Sequence, residues 1–237
     1  MTNAHLKVFV DFDGTITRQD VGNSFFRKFG NATESAKLVK MWKDGDLSGR
    51  DLTAKEAEYV RADENQALRY VEGFEIDPAF KAFLSFCKQH SLDVAVLSDG
   101  LDFYVTRIFE VNGISGLPLY VNRAHFTSDR VSVEFPYESE CTRCGNCKGY
   151  QILTGTGVDD IVVYVGNGFS DRCAVQYADI IFAKDELLKY CEENNITFFP
   201  FETFDDVTEK LTRILDSGKF RKRHRAELRR KEAYISE

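Results

Sequence analysis

The chain has 237 residues, 43% of them hydrophobic with 20 Phe, enough to bury a substantial core in one large or two modest domains. A net charge of −7 argues against a nucleic-acid-binding body, and no stretch nears the roughly 20 continuous apolar residues of a membrane helix. The N-terminus enters an apolar strand without a basic-then-apolar signal pattern, so the six cysteines are expected as thiols in a reducing cytoplasm.

The first expected strand, 6–11, opens the stretch Val-Phe-Val-Asp-Phe-Asp-Gly-Thr-Ile-Thr at 8–17. Side chains alternate along a strand, so Asp11 and Asp13 leave on one side and Phe12 on the other. Two carboxylates this close repel unless a cation or a shared proton relieves them, which suits a hard ion such as Mg²⁺. One carboxylate can then attack a phosphoryl group while the other manages the leaving-group proton.

Residues 18–75 read as several amphipathic helices in a small bundle. Phe25, Phe26 and Phe29 recur at helical spacing, as do Leu38, Met41 and Trp42, and Ala67, Leu68 and Val71. Trp42 is expected to anchor that bundle. Asp77 and Pro78 start a helix over 78–90, and a second strand at 92–98 ends in Ser98, followed by Asp99 and Gly100. A helix over 101–112 and a small hairpin within 118–136 follow.

Cys141, Cys144 and Cys147 then repeat every third residue before Lys148, the one lysine between Lys88 and Lys184. Such spacing can hold zinc or an iron–sulfur cluster. With no histidine close behind, buried thiols around the lysine loop are the preferred expectation. After a helix over 147–156, a third strand at 160–166 leads into Gly166-Asn167-Gly168-Phe169-Ser170-Asp171. The remaining elements are a helix at 171–177, a strand at 179–183, a helix at 185–194, a strand at 196–199 and a helix at 204–216. Residues 219–231 hold eight Lys and Arg, expected as a solvated helix or tail that touches the acidic body at most.

Strands alternating with helices indicate a parallel sheet, whose site lies outside the C-terminal strand ends. An Asp-x-Asp strand end, a Ser strand end, a Lys and a Gly-x-x-x-x-Asp strand end, in this order, resemble the haloacid dehalogenase superfamily of phosphohydrolases. The resemblance runs from about residue 6 to 190. Within it the chain is similar to the phosphoserine phosphatase-like branch. Leu97–Tyr104 and Cys144-Gly145-Asn146-Cys147-Lys148 look most like its methionine-salvage group, which acts on 2-hydroxy-3-keto-5-methylthiopentenyl-1-phosphate. The implied fold is α/β: a Rossmann-like three-layer parallel-sheet core over 1–17 and 76–216, a helical cap over 18–75 inserted after the first strand, and a basic tail over 217–237.

The resemblance also implies roles. Asp11 is the nucleophile that forms an aspartyl-phosphate, and Asp13 is the acid and then the base. Ser98 binds a phosphate oxygen and Lys148 offsets charge. Phe12, Gly14, Thr15, Asp99 and Gly100 flank the phosphate, and successive amides near Gly14 cradle it. Mg²⁺ is held by Asp11, the Asp13 carbonyl, Asn167 and Asp171. Asn167 departs from the family, which carries an acid there, and this implies a weakened metal site. Asp20 suits a substrate amine and Arg50 a carboxylate or phosphate, whereas the flanks of Ser98 and Lys148 favour the salvage type, so the substrate stays open between them. The expected partner is a small phosphorylated metabolite, with no nucleic acid and no membrane. A non-catalytic binder of phospho-metabolites is the competing class.

Overall fold

The structure, a computed structural model, describes residues 5–137, 139–218 and 220–235. The strands are β1 (Leu6–Val10), β2 (Asp93–Leu101), β3 (Leu119–Phe126), β4 (Val131–Glu134), β5 (Ile161–Gly166), β6 (Ile180–Ala183) and β7 (Phe199–Pro200). The helices are α1 (Val21–Phe29), α2 (Ala32–Asp44), α3 (Gly49–Tyr59), α4 (Glu64–Val71), α5 (Phe80–Gln89), α6 (Asp102–Val111), α7 (Lys148–Gly155), α8 (Asp185–Glu193), α9 (Phe204–Ser217) and α10 (His224–Ile235). The described residues fall into two compact units, one within 5–11, 77–97 and 148–235, the other within 12–76 and 98–147.

In the first unit β1 lies between β2 and β5, and β6 and β7 follow β5, all parallel, with Val10 opposite both Val96 and Val165. Every residue of β5 and β6 is buried, so both faces of the sheet are covered, as a parallel sheet of Val and Ile requires. Helix α8 packs on β6, and α5, α7, α9 and α10 belong to the same unit. Asp77 joins two of them, accepting the amides of Ala79 (2.8 Å) and Phe204 (3.2 Å). Where one helix was expected at 171–177 there are two tight turns, Phe169–Arg172 and Ala174–Gln176. The last strand is two residues long and lies later than the expected 196–199.

The basic C-terminus is not a solvated arm. Arg230 is buried and donates to both carboxylate oxygens of Asp179, at 3.1 and 2.9 Å, and the Arg223 amide donates to the same side chain at 2.9 Å. Ala226 is fully buried beside them in sequence, and the Tyr234 hydroxyl reaches the carbonyl of Thr156 at 2.7 Å. The expected contact with the acidic body is present, but through a buried arginine, so the helix is docked and not merely solvated. Lys219 of that run lies outside the described residues.

The second unit contains the expected helices. Asp20, Asn31, Ser48 and Asp63 cap α1 to α4 through their side chains, and Gly45 ends α2 in the left-handed conformation at φ 90°. Phe25 is fully buried and meets Phe26, Phe29 and Phe103 at ring distances of 5.1–5.5 Å. Trp42 is only half-buried and Met41 is exposed, so neither anchors the bundle; α2 buries Ser35 instead. The hairpin is β3 paired antiparallel to β4, with Arg123 opposite Glu134. It groups with the helices, as does α6, so 98–147 fall in this unit where the sequence placed them with the sheet. Among the described residues no helix is long and apolar enough to cross a membrane.

Candidate active site

In the first unit the chemistry collects just past the C-terminal ends of β1 and β5. Asp11 follows β1, and its amide donates to the carbonyl of Val165 at 2.9 Å. Lys148 opens α7 and is wholly buried. Its Nζ donates to Asp11 Oδ1 at 2.5 Å, to Asp171 Oδ1 at 2.6 Å and to Ser170 Oγ at 3.3 Å. A buried ammonium needs such partners, and two carboxylates leave this cluster with one net negative charge.

Asp171 is the hub. Its Oδ1 also accepts the hydroxyl of Tyr164 at 2.5 Å, and its Oδ2 accepts the amides of Asn167 (2.9 Å) and Gly168 (2.8 Å). That fills the acceptor capacity of a carboxylate and folds the loop after β5 back over it. A Cβ on Gly166 would lie 2.6 Å from Asp171 Oδ2, so only glycine lets the loop close this far. Burial, then the charges of Asp171 and Asp11, push the Tyr164 hydroxyl well above its usual pKa and keep it a neutral donor.

In the second unit Asp13 is the centre. Asp13 Oδ1 accepts the amides of Val21 (2.8 Å) and Gly22 (3.1 Å), the first two residues of α1, where the helix dipole favours negative charge. Asp13 Oδ2 accepts the hydroxyl of Tyr104 at 2.7 Å and faces Ser98 Oγ at 3.5 Å. Burial, and then the nearby charge of Asp20, outweigh these hydrogen bonds and raise the Asp13 carboxyl to about 7.

Ser98 is buried, and its Oγ accepts the Gly100 amide at 2.9 Å. At Gly100 a Cβ would collide with the Tyr104 hydroxyl and come within 2.8 Å of Asp13 Oδ2. Gly14 sits at φ 75°, but its amide turns inward to Thr17 Oγ1 (3.2 Å) and the Gln19 carbonyl (3.3 Å) and does not form the expected cradle. Thr15 is buried in the same turn. The Phe12 ring is fully buried against Tyr104 and Phe109, so any part it takes in binding falls to its backbone. Asp99 positions a loop, its Oδ1 accepting the Asn146 amide at 2.6 Å. The Asp20 carboxylate caps α1 through the Asn23 amide at 2.8 Å, and Arg50 is exposed with its guanidinium 4.9 Å from the centre of the Phe135 ring.

Two tyrosines escaped the sequence reading. Tyr104 looks like one more core residue of α6, and Tyr164 lies in the middle of an apolar strand. The available signal was generic: a buried tyrosine places its hydroxyl on a partner.

Mg²⁺ takes oxygen donors, usually one or two carboxylates completed by water and phosphate. The Asp11 carboxylate and the Asn167 amide oxygen meet that requirement in kind. Asp171 meets it only by giving up one of its four donors.

A family model described as haloacid dehalogenase-like hydrolase matches residues 8–176. A Bacillus cereus protein named 2-hydroxy-3-keto-5-methylthiopentenyl-1-phosphate phosphatase is 31% identical over 216 residues, covering 89% of this chain and 98% of that protein. A Bacillus anthracis protein of the same name is 30% identical at the same coverage. Among solved structures, a phospho-aspartyl intermediate analogue of phosphoserine phosphatase superposes with a TM-score of 0.67 at 20% identity, covering 89% of this chain and 99% of that one. A substrate-bound phosphoserine phosphatase complex gives 0.61 at 19% identity, covering 79% and 90%.

Proposed function

The chain belongs to the haloacid dehalogenase-like hydrolase family, and we propose that it is a Mg²⁺-dependent phosphatase that uses Asp11 as nucleophile and Asp13 as acid and base. The observation that carries this reading is the opposite treatment of two carboxylates one residue apart. Asp11 is paired with the buried ammonium of Lys148. Asp13 is held near pKa 7, where a carboxyl can give up a proton at one step and take one back at the next.

Asp11 attacks phosphorus and forms an aspartyl-phosphate. Asp13 delivers its proton to the leaving alkoxide and then, as carboxylate, accepts one from the water that hydrolyses the acyl phosphate. Tyr104 serves both forms of Asp13, since a hydroxyl can donate to the carboxylate or accept from the acid. Ser98 Oγ hydrogen-bonds a phosphate oxygen, and Lys148 offsets charge on the transferring group. Bound Mg²⁺ supplies positive charge for the phosphate dianion, and Asp11, the Asp13 carbonyl and Asn167 would hold it. Asp171, drawn by the sequence into the metal set, is assigned here to anchoring Lys148.

The proposed substrate is 2-hydroxy-3-keto-5-methylthiopentenyl-1-phosphate. Its support is the 30–31% identity to phosphatases of that name over nearly their whole length. Phosphoserine is the second reading, favoured by the carboxylate of Asp20; the cap bond to Asn23 weighs against it by giving that carboxylate a structural task.

The test is phosphate release from both compounds with Mg²⁺, for the native protein and for Asp11→Asn. Release from the first, with at least about 10³-fold loss in the variant at unchanged thermal stability, is the expected outcome. Activity that survives Asp11→Asn sinks the mechanism. Tight binding of both compounds with no release favours the non-catalytic class.

A further inference from the structure

The segment from 135 to 147 joins β4 to α7, and its described residues have no regular structure, a length at which loops usually carry function or are tied down by something else. Its anchors are local. The Gly49 amide donates to the Arg143 carbonyl at 2.7 Å, and the Asn146 side-chain amide donates to the carbonyls of Tyr120 (2.7 Å) and Ser98 (3.2 Å). Within this loop the sulfur atoms of Cys141, Cys144 and Cys147 lie within 4.8 Å of one another. None of the six described cysteines is in a disulfide.

The expectation of buried thiols fits only one of the three. Cys147 is buried, but Cys141 and Cys144 are half-exposed, and a thiol acting as a small hydrophobe has no reason to leave the interior and face two others. Mutual convergence is what metal ligation asks for. A tetrahedral Zn²⁺ with Zn–S near 2.3 Å sets its sulfurs about 3.8 Å apart, within a small side-chain rotation of the arrangement here. Thiolates that bind separate irons of a cluster stand farther apart than thiolates that share one ion, so the triangle suits a single metal. Cys141 and Cys144 are half-exposed, so a fourth donor can come from solvent.

We propose that Cys141, Cys144 and Cys147 form a three-thiolate site for one Zn²⁺ ion, with water as the fourth donor. Binding releases the thiol protons to solvent and involves no redox step. The ion clamps the loop at both shoulders of its last residues: Asn146, which holds the Ser98–Asp99 strand end, and Lys148, which follows Cys147 in sequence. Its role is positioning, and it stands independently of the phosphatase reading.

The test uses the full-length protein, reduced with a non-thiol reductant and stripped of metal, titrated with Zn²⁺ alone against a chromophoric chelator. One equivalent should bind per chain. Co²⁺ in its place should give a sulfur-to-metal charge-transfer band and the visible bands of a tetrahedral site. Cys144→Ser should weaken zinc binding by at least about tenfold and shrink that band, while Cys173→Ser leaves both unchanged. If Cys144→Ser does not fold, alkylation mapping of the native protein decides, because zinc should protect 141, 144 and 147 and not 173. Sub-stoichiometric zinc, a cobalt spectrum without the charge-transfer band, stoichiometric iron, or zinc retained at full affinity in Cys144→Ser overturns the proposal.

Discussion

Replacing Tyr104 by Phe removes one hydroxyl, 2.7 Å from Asp13 Oδ2, and leaves the ring in place. The consequence follows from which form of Asp13 that hydroxyl favours. Burial is the main force raising the carboxyl to about 7, Asp20 adds to it, and the Tyr104 bond opposes both. A hydrogen bond to a charged acceptor is worth about 1.5–3 kcal/mol, or about one to two pKa units, and since the hydroxyl also bonds the acid form, its loss raises Asp13 further by at most that much. The assay is the pH dependence of each half-reaction, with phosphorylation followed in single turnover and dephosphorylation by decay of the aspartyl-phosphate. Phosphorylation needs protonated Asp13, so its alkaline limb should move up, by at most about one to two units. Dephosphorylation needs the carboxylate, so near neutrality it should slow and the aspartyl-phosphate accumulate. Asp20→Asn gives the opposite perturbation, because it removes a neighbouring charge that raises Asp13 yet keeps a residue able to cap α1. Its limb should move down. A stationary limb in Tyr104→Phe, or limbs moving the same way in both variants, refutes Asp13 as the proton-transfer group.

Glu56 is buried against the Ser35 hydroxyl and raised to about 7, chiefly by burial. Its contribution to stability is therefore full below the ordinary pKa of 4.5 and lost as pH rises through 7; Glu56→Gln should stabilise by up to about 3 kcal/mol at pH 8 and by much less at pH 5, measured by urea unfolding. Arg230→Met strands the buried Asp179 carboxylate and should cost about 3 kcal/mol, with part recovered in Arg230→Met/Asp179→Asn. Asn167→Asp should lower the half-saturating Mg²⁺ concentration for phosphate release by roughly 1–3 kcal/mol of binding; an unchanged value would remove residue 167 from the metal set.

The parts of the site legible in the sequence are those that depend on where a strand ends. Asp11, Asp13 and Ser98 stand out because apolar strands stop beside them, and Lys148 because it is isolated among lysines. What stayed hidden depends on contacts between distant segments. Tyr104 reaches Asp13 across 91 positions, and nothing around it separates a hydroxyl placed on Asp13 from a core ring. Asp20 carried a local signal, a carboxylate ahead of an apolar helical run, yet that two amides of the same helix start would turn to Asp13 is tertiary information. The same limit explains the C-terminus. Eight basic residues look solvated until Asp179 is known to wait 51 positions earlier for one of them.

Asn167 acquires a physical meaning from the charge of the first unit's cluster. Asp11 and Asp171 against Lys148 leave one negative charge. The family pattern, with an acid at 167, would leave two, and a divalent ion would then bring the cluster to neutrality. With Asn167 the same ion leaves it one unit positive, before any phosphate arrives. On the proposed phosphatase reading the protein alone would hold Mg²⁺ less tightly, and the dianionic substrate would supply the missing negative charge. Metal and phosphate should therefore strengthen each other's binding, by the same factor whichever is added first. Half-saturating Mg²⁺ should fall as substrate rises in the native protein, and fall less steeply in Asn167→Asp, where the carboxylate already provides what the phosphate would bring.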